Sequence, residues 1–423
     1  MTEAPETHPD TRVQQLHALV DGTPSPRSWS GSRGRIHLAY EPEQVGRILQ
    51  GREFARTPLM AQLAGNGMIW SDGDDWRDHR RLAQPIFHER VMHRYLGAFN
   101  WGVDGLVARL EELAAVGAPF ALHDELIRFT IRVLYRSMFN RELPVDHDKG
   151  DLLLSFFDMV GEVSWSLLYG AMGTPLSRSI VKCRDLRALV DREIETILES
   201  GLSTPDREEE DFIGIFLGQV PEAGIKDEIL TIFLAGAETT SNLLAWMILL
   251  LANEPDEERV VREELQAMPP DASIDLPMLE GLPRLHAAVR ETLRLYPPIW
   301  MIGREVVERT SIDDHSVDPG DWTLAFIYYL HRNPMLWDQP DRFVPGRFLE
   351  EPEGPCRHAY APFGGGRHLC LGKHFAEYES LMAAATILRR FRFDLAVPRE
   401  RSLRASVGLT LRPDGTMVRV RTS

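Results

Sequence analysis

Apolar residues recur at helical spacing along most of the chain, and short joints rich in Pro, Gly and Asp interrupt the pattern. Helices are expected over residues 43–49, 95–114, 123–139, 150–163, 175–199, 225–253 and 372–390. Another opens with Asp74 as its cap, and one carrying Glu291 and Arg294 is stopped by Pro297 and Pro298. Alternation marks a strand at 36–40, a small β region between 304 and 327, and short strands between 391 and 420. Residues 57–73, which include Trp70, lack periodicity and read as an apolar loop. No repeat and no linker separates two cores. The expectation is a mainly α fold with small β-sheets, one large domain over 31–423 behind a loosely ordered arm at 1–30.

The totals narrow this picture. Across 423 residues, 43% hydrophobic and 26% charged content suits a globular protein with a sizeable core. A net charge of −16 argues against nucleic acid or an anionic membrane as partner. The longest apolar run, 243–252, is about half of what crosses a bilayer, and the start is acidic, so a soluble cytoplasmic protein is expected. The three cysteines at 183, 356 and 370 are too scattered for a disulfide framework or a zinc site.

One of those cysteines stands in an unusual stretch, Ala361-Pro-Phe-Gly-Gly-Gly-Arg-His-Leu-Cys-Leu-Gly-Lys373. Cys370 follows a glycine-rich turn and precedes a helix, where the dipole and free N–H groups favour a thiolate. A lone cysteine is otherwise a small apolar core residue. Upstream, Trp76 and Arg80 share a helix face and could converge on one anion, or belong to a solvated surface. In the long helix, Gly236 weakens the centre by about 1 kcal/mol relative to alanine, which suggests close approach of another body. Glu238 interrupts an apolar span there and should be paired or wet. Thr239 and Thr240 either bond back to the preceding turn or take part in proton transfer.

Phe363-x-x-Gly366-x-His368-x-Cys370-x-Gly372 resembles the haem-ligating signature of the cytochrome P450 family, whose usual form has arginine where this chain has His368. Ala235-Gly236-x-Glu238-Thr239 is similar to the family's acid–alcohol motif. Glu291-x-x-Arg294 with Arg347 resembles its structural triad, and Trp76-x-x-x-Arg80 its propionate-binding helix. These motifs run in family order over most of the chain.

The resemblance implies haem b (iron protoporphyrin IX) with Cys370 as the axial iron ligand, in a loop shaped by Phe363, Gly364, Gly366 and Gly372. Trp76, Arg80, Arg304 and a charged His368 would neutralise the propionates. Ala235 and Gly236 would lie against the haem, and Glu238 and Thr239 would relay protons for O2 activation. Trp70, Phe156, Phe157, Trp300, Met301 and Leu409 would line the pocket, although each could equally be core. The implied reaction is monooxygenation of an apolar small molecule by a bacterial-type monomer, as in secondary metabolism. Its NAD(P)H-derived electrons would come from a ferredoxin or flavodoxin with its reductase, docking near Arg77, Arg81, Lys373 and Arg389. Rival readings are a haem-thiolate enzyme of non-hydroxylating chemistry and a non-catalytic haem protein.

Overall fold

The computed structural model describes residues 27–31, 34–56, 65–140, 155–156, 159–160, 187–188, 190–199, 211–269, 274–350 and 354–423. Helices dominate, and the chain begins with a strand pair, β1 (Arg27–Gly31) and β2 (Gly34–Ala39). The last positions of the expected arm therefore belong to a sheet, and residues 1–26 lie outside the described residues. Helix α1 (Pro42–Gln50) starts at a proline whose fixed φ suits the first turn. The two-residue strand β3 (Phe54–Ala55) follows.

Helix α2 (Gly73–Ala83) corrects one expectation: Asp72, not Asp74, is its cap, accepting from the Gly73 N–H at 2.8 Å. Asp74 and Asp75 fall in the first turn, where carboxylates complement the dipole. Helix α3 (Leu96–Val116) ends at Gly117 in the left-handed region, and α4 (Leu122–Phe139) ends likewise at Asn140. The helices expected over 150–163 and 175–199 fall largely outside the described residues, which retain helix at 155–156, 159–160, 187–188 and 190–199.

The 32-residue α5 (Glu222–Asn253) runs through the core against α4. Thr130 of α4 donates to the Ala237 carbonyl of α5 at 2.9 Å, and Gly236 admits Leu134 so closely that a Cβ would stand 2.9 Å from its Cδ2. The body that Gly236 makes room for is thus a neighbouring helix. Although α5 is long and apolar enough to cross a membrane, 83% of its apolar window is buried inside the protein. Helix α6 (Pro283–Leu295) carries Glu291 and Arg294.

Strands β4 (Ile302–Val306) and β5 (Trp322–Ala325) complete a five-stranded sheet in the order β1-β2-β5-β4-β3. Only β2 and β5 run parallel. In the β3–β4 pair, Phe54 faces Val306 and Ala55 faces Glu305. Helix α7 (Lys373–Arg390) then packs against α5 and α3. A C-terminal hairpin, β6 (Ala405–Val407) and β7 (Leu411–Pro413), clasps α5 through the Trp246 indole, which donates to the Leu411 carbonyl at 3.0 Å.

Candidate active site

The cysteine loop is built from short backbone bonds. Gly364 donates to the Ala361 carbonyl at 3.0 Å, Leu369 to Gly366 at 3.1 Å, and Cys370 to Phe363 at 3.0 Å. Gly364 and Gly366 have φ of +71° and +64°, which other residues rarely adopt. A Cβ on Gly366 would overlap the Leu49 carbonyl at the end of α1, so this glycine serves loop-to-helix packing. Around Gly372 a Cβ would meet nothing. The loop delivers Cys370 to the head of α7, where its side chain is accessible although the residue lies deep in the protein. Burial pushes the thiol up, and the Gly372 N–H and the Arg80 guanidinium oppose that shift.

Behind the loop, Glu291, Arg294 and Arg347 are in contact. Arg294 forks onto Glu291 at 2.7 and 2.9 Å, and Arg347 Nε donates to the same carboxylate at 3.2 Å. Arg294 also donates to the carbonyls of His331, Pro340 and Arg342. His331 carries this cluster to the cysteine loop: its Nε2 accepts from the Ala361 N–H at 2.9 Å, which leaves Nδ1–H to donate to the Arg294 carbonyl at 3.2 Å. Burial, reinforced by Arg294, lowers its pKa to about 3, so it is neutral.

A second cluster surrounds Asp72. Its carboxylate accepts from the Arg56 N–H at 2.7 Å, lies 3.3 Å from Arg367 Nη2, and lies 3.3 Å from His368 Nε2. Burial pushes Asp72 up, but the Arg56 and Gly73 backbone N–H groups that donate to its carboxylate outweigh it and hold the group well below the usual range. Trp76 is buried with its ring centroid 4.3 Å from that of His368, and Arg80 donates to the Leu369 carbonyl at 3.0 Å. Arg56 and Arg304 lie close in this cluster. Burial first, then their mutual repulsion and that of Arg80 and Arg367, bring Arg56 down to about 9; burial, with Arg367, brings Arg304 to about 10.

Among the protein's own groups, burial, together with Arg56 and Arg304, overrides Asp72 and lowers the pKa of His368 to about 4. Arg367 Nε donates to His368 Nε2 at 3.0 Å, so the proton sits on Nδ1, a buried atom with no partner among the described residues. The residues fit a dianionic cofactor: Arg367 reaches Asp72, Arg56 and Arg304 stand beside it with Arg80 near Arg56, and the Nδ1–H of His368 has no partner among the described residues.

On α5, Ala235 is exposed and Gly236 and Thr239 half-exposed, although Leu234, Ala237, Glu238 and Thr240 beside them are buried. An open face in a core helix marks internal space next to it. Thr239 Oγ1 donates to the Ala235 carbonyl at 2.6 Å. The buried Glu238 lies 3.8 Å from Arg412 of β7. Arg412 in turn lines a cleft of about 230 Å³ together with His123, Asp124 and Asp414.

The expected pocket residues divide. Phe156 and Trp300 are fully enclosed, Trp300 donating to the Gly408 carbonyl at 3.2 Å, which places both in the core. Trp70, Met301 and Leu409 keep partial exposure, and Phe157 lies outside the described residues. Arg77 and Arg81 are exposed but offset by Asp74 and Asp78, one turn away. Sequence reasoning missed Arg56, Asp72, Arg367, His331 and Arg412. Only Arg367 carried a local signal, as the cation adjoining His368.

A family model described as Cytochrome P450 matches residues 7–420. "Putative cytochrome P450 132" of Mycobacterium tuberculosis (strain CDC 1551 / Oshkosh) is 30% identical over 378 residues, covering 84% of this chain and 80% of its own. "Cytochrome P450 4A11" of Homo sapiens is 27% identical, covering 91% and 80%. Among solved structures, a cytochrome P450 (CYP102L1) superposes with a TM-score of 0.84 at 22% identity, over 97% of this chain and 94% of that one. The cytochrome P450DA heme domain also scores 0.84, at 23% identity, over 98% and 93%.

Proposed function

The chain belongs to the cytochrome P450 family, and from that premise we propose how its own residues serve a haem-dependent monooxygenase. Such an enzyme takes haem b, O2 and reducing equivalents from a partner. The haem, when bound, supplies the O2 activation that puts one oxygen atom into a C–H bond.

Cys370 holds the iron. The observation that carries this reading is a deep but accessible thiol at the head of α7, tempered by the Gly372 N–H. Trp76, Arg80, Arg304 and the neutral Nδ1–H of His368 hold the propionates. Glu291, Arg294, Arg347 and His331 form one hydrogen-bonded frame that fixes the loop, so the ligand stands where it is needed without reorganisation.

On the opposite side, Thr239 commits its hydroxyl proton to Ala235, which leaves its lone pairs to receive a water or an incoming O–H. Glu238 passes protons on to it. Its contact with solvent runs through Arg412 and the adjoining cleft, because the carboxylate itself is buried. The substrate is an apolar small molecule met by Trp70, Met301 and Leu409, within bacterial secondary metabolism. A ferredoxin or flavodoxin delivers electrons on the cysteine side to a cytoplasmic, single-domain monomer, with Lys373 and Arg389 among the cations offered to it.

The absorption spectrum of the reduced protein with carbon monoxide tests the reading. A strongly red-shifted Soret band is expected, lost in Cys370→Ser. A band at the position given by histidine ligation would overturn it.

A further inference from the structure

Two adjacent carboxylates on α5, Asp227 and Glu228, hold the segment 65–72 that leads into α2, and each does so in the same way. Asp227 accepts from the Asn66 N–H at 2.8 Å and from Arg187 Nη2 at 3.3 Å. Glu228 accepts from the Met68 N–H at 2.8 Å and from His79 Nδ1 of α2 at 2.6 Å. Between these two anchors Gly67 comes so near to α5 that a Cβ would overlap Thr231 Oγ1. The Gly67 carbonyl in turn accepts from the Trp70 and Ser71 N–H groups at 2.9 and 3.0 Å. The turn bearing Trp70 is therefore built on the residue pressed against α5.

The two anchors differ in what they can lose. An arginine stays charged, and the Asp227 side chain beside it is 23% exposed. Glu228 is fully enclosed, its Oε2 has no partner among the described residues, and its cation is a histidine whose side chain reaches the surface. A buried carboxylate with one oxygen unpaired is costly to keep charged. Burial pushes Glu228 up and Asp227 adds to it, while His79 and the Met68 N–H oppose the shift. The bond to Glu228, with Asp75 and Asp78 behind it, raises His79 against burial. Phe216 covers the imidazole edge-on and brings no charge, and residues 65–69 carry no ionisable side chain. The charged groups facing the pair are thus Asp227 on α5 and Asp75 and Asp78 on α2.

We propose that Asp227 and Glu228 form a two-part latch on segment 65–72, one part fixed and the other released when the His79–Glu228 pair takes up a second proton, and that this latch governs how readily bulky molecules reach the substrate space beside Trp70. The inference rests on the reading that Trp70 borders that space, and it adds two positioning residues, Glu228 and His79, that lie outside the motifs. With one proton between them, the two are joined by a charge-assisted bond, and Glu228 keeps negative charge for the Met68 N–H. A second proton, bound as the pH falls through the raised value of Glu228, leaves a neutral carboxyl facing an imidazolium, and the Met68 anchor weakens. Asp227 and Arg187 hold Asn66 throughout. The segment therefore loosens from Met68 toward Trp70 without leaving α5.

The test uses the haem-loaded protein between pH 8 and pH 5.5. Amide hydrogen exchange, corrected for the intrinsic rate at each pH, reads residues 65–72. Stopped-flow binding to the reduced haem reads entry with two probes that do not titrate, carbon monoxide and the bulkier cyclohexyl isocyanide. In the wild type, exchange at Met68 and the Trp70 turn and the isocyanide on-rate are expected to rise about tenfold toward pH 5.5, the loss of one charge-assisted hydrogen bond, with carbon monoxide little changed. Glu228→Gln keeps an acceptor for Met68 and a donor for His79 but cannot titrate, so both readouts should become independent of pH. Asp227→Asn should speed exchange at Asn66 equally at every pH and leave the acid-induced rise in place. A rise in Glu228→Gln equal to that of the wild type overturns the latch. Exchange that responds to pH while the isocyanide on-rate does not overturns the control of entry. If Glu228→Gln does not load haem, His79→Gln decides: without its cation Glu228 binds its proton at higher pH, the rise moves toward pH 8, and an unmoved profile overturns the proposal. The underlying readings fail separately, Trp70 by an isocyanide on-rate unchanged in Trp70→Ala, and Cys370 by the position of the carbon monoxide band, which neither carboxylate sets.

Discussion

Two arginine clusters flank the cysteine loop, and they are built on opposite principles. In the frame behind the loop, Arg294 is wholly buried and its guanidinium is shared among the Glu291 carboxylate and three backbone carbonyls, while Arg347 and the Val344 N–H fill the rest of Glu291. Donors and acceptors there close on each other. Around Asp72, Arg367 reaches the carboxylate, Arg56 and Arg304 crowd beside it, and His368 Nδ1 is buried with no partner among the described residues. A satisfied network rigidifies, whereas a network with surplus donors in a low dielectric is a site awaiting an anion. The difference separates scaffold from binding site without reference to any motif.

The largest effect is expected from Glu291→Ala. It strands a fully buried Arg294 with no countercharge, a change that costs about 3–5 kcal/mol. The unfolding free energy read from urea titration should fall by that amount with and without added haem, because the frame contacts no ligand. A loss confined to the haem-loaded form would place the frame among the binding residues and erase the contrast. Arg304→Gln is the smaller, opposite case. Removing one of four crowded cations should speed haem release about tenfold while leaving the urea midpoint of the haem-depleted chain unchanged or raised. An equal fall in both forms would show that the cations stabilise the fold themselves.

What the sequence made legible was whatever repeats or clusters locally. The helical period placed α3, α4, α5 and α7 to within a few residues, because amphipathic burial writes itself at every third or fourth position. The cysteine loop was legible because Phe363 to Gly372 lie together in the chain. Arg56 was not, since a two-residue strand has no periodicity and its partner is almost 250 positions away. Gly236 shows the intermediate case: the sequence revealed that something comes close, and only the packing of α4 says that it is Leu134. The surroundings of His368 were hidden for the same reason. Its pKa is set by burial among Arg56, Arg304 and Asp72, none of them its neighbours in the chain.

The smallest expected effect concerns His331, which connects the satisfied frame to the cysteine loop. His331 is neutral and fully buried, with one ring nitrogen accepting from Ala361 and the other donating to the Arg294 carbonyl. Its pKa of about 3 in the folded chain stands against an ordinary value of 6.5, so between those values the unfolded chain binds a proton that the folded chain does not. Its contribution is therefore fully present above about pH 6.5 and is lost as the pH falls toward 3, with a limiting slope of about 1.4 kcal/mol per pH unit. Glutamine at this position supplies one donor and one acceptor but cannot titrate. His331→Gln should lower stability at pH 7 modestly and should flatten the decline between pH 6 and 4 by up to one proton. The slopes contributed by His123 and His368, each lowered to about 4, remain in both proteins and cancel in the comparison. Urea midpoints at pH 7, 6, 5 and 4 measure the two slopes. Parallel lines would mean that His331 already carries its proton in the folded chain, and the frame would then hold a third cation rather than a neutral link.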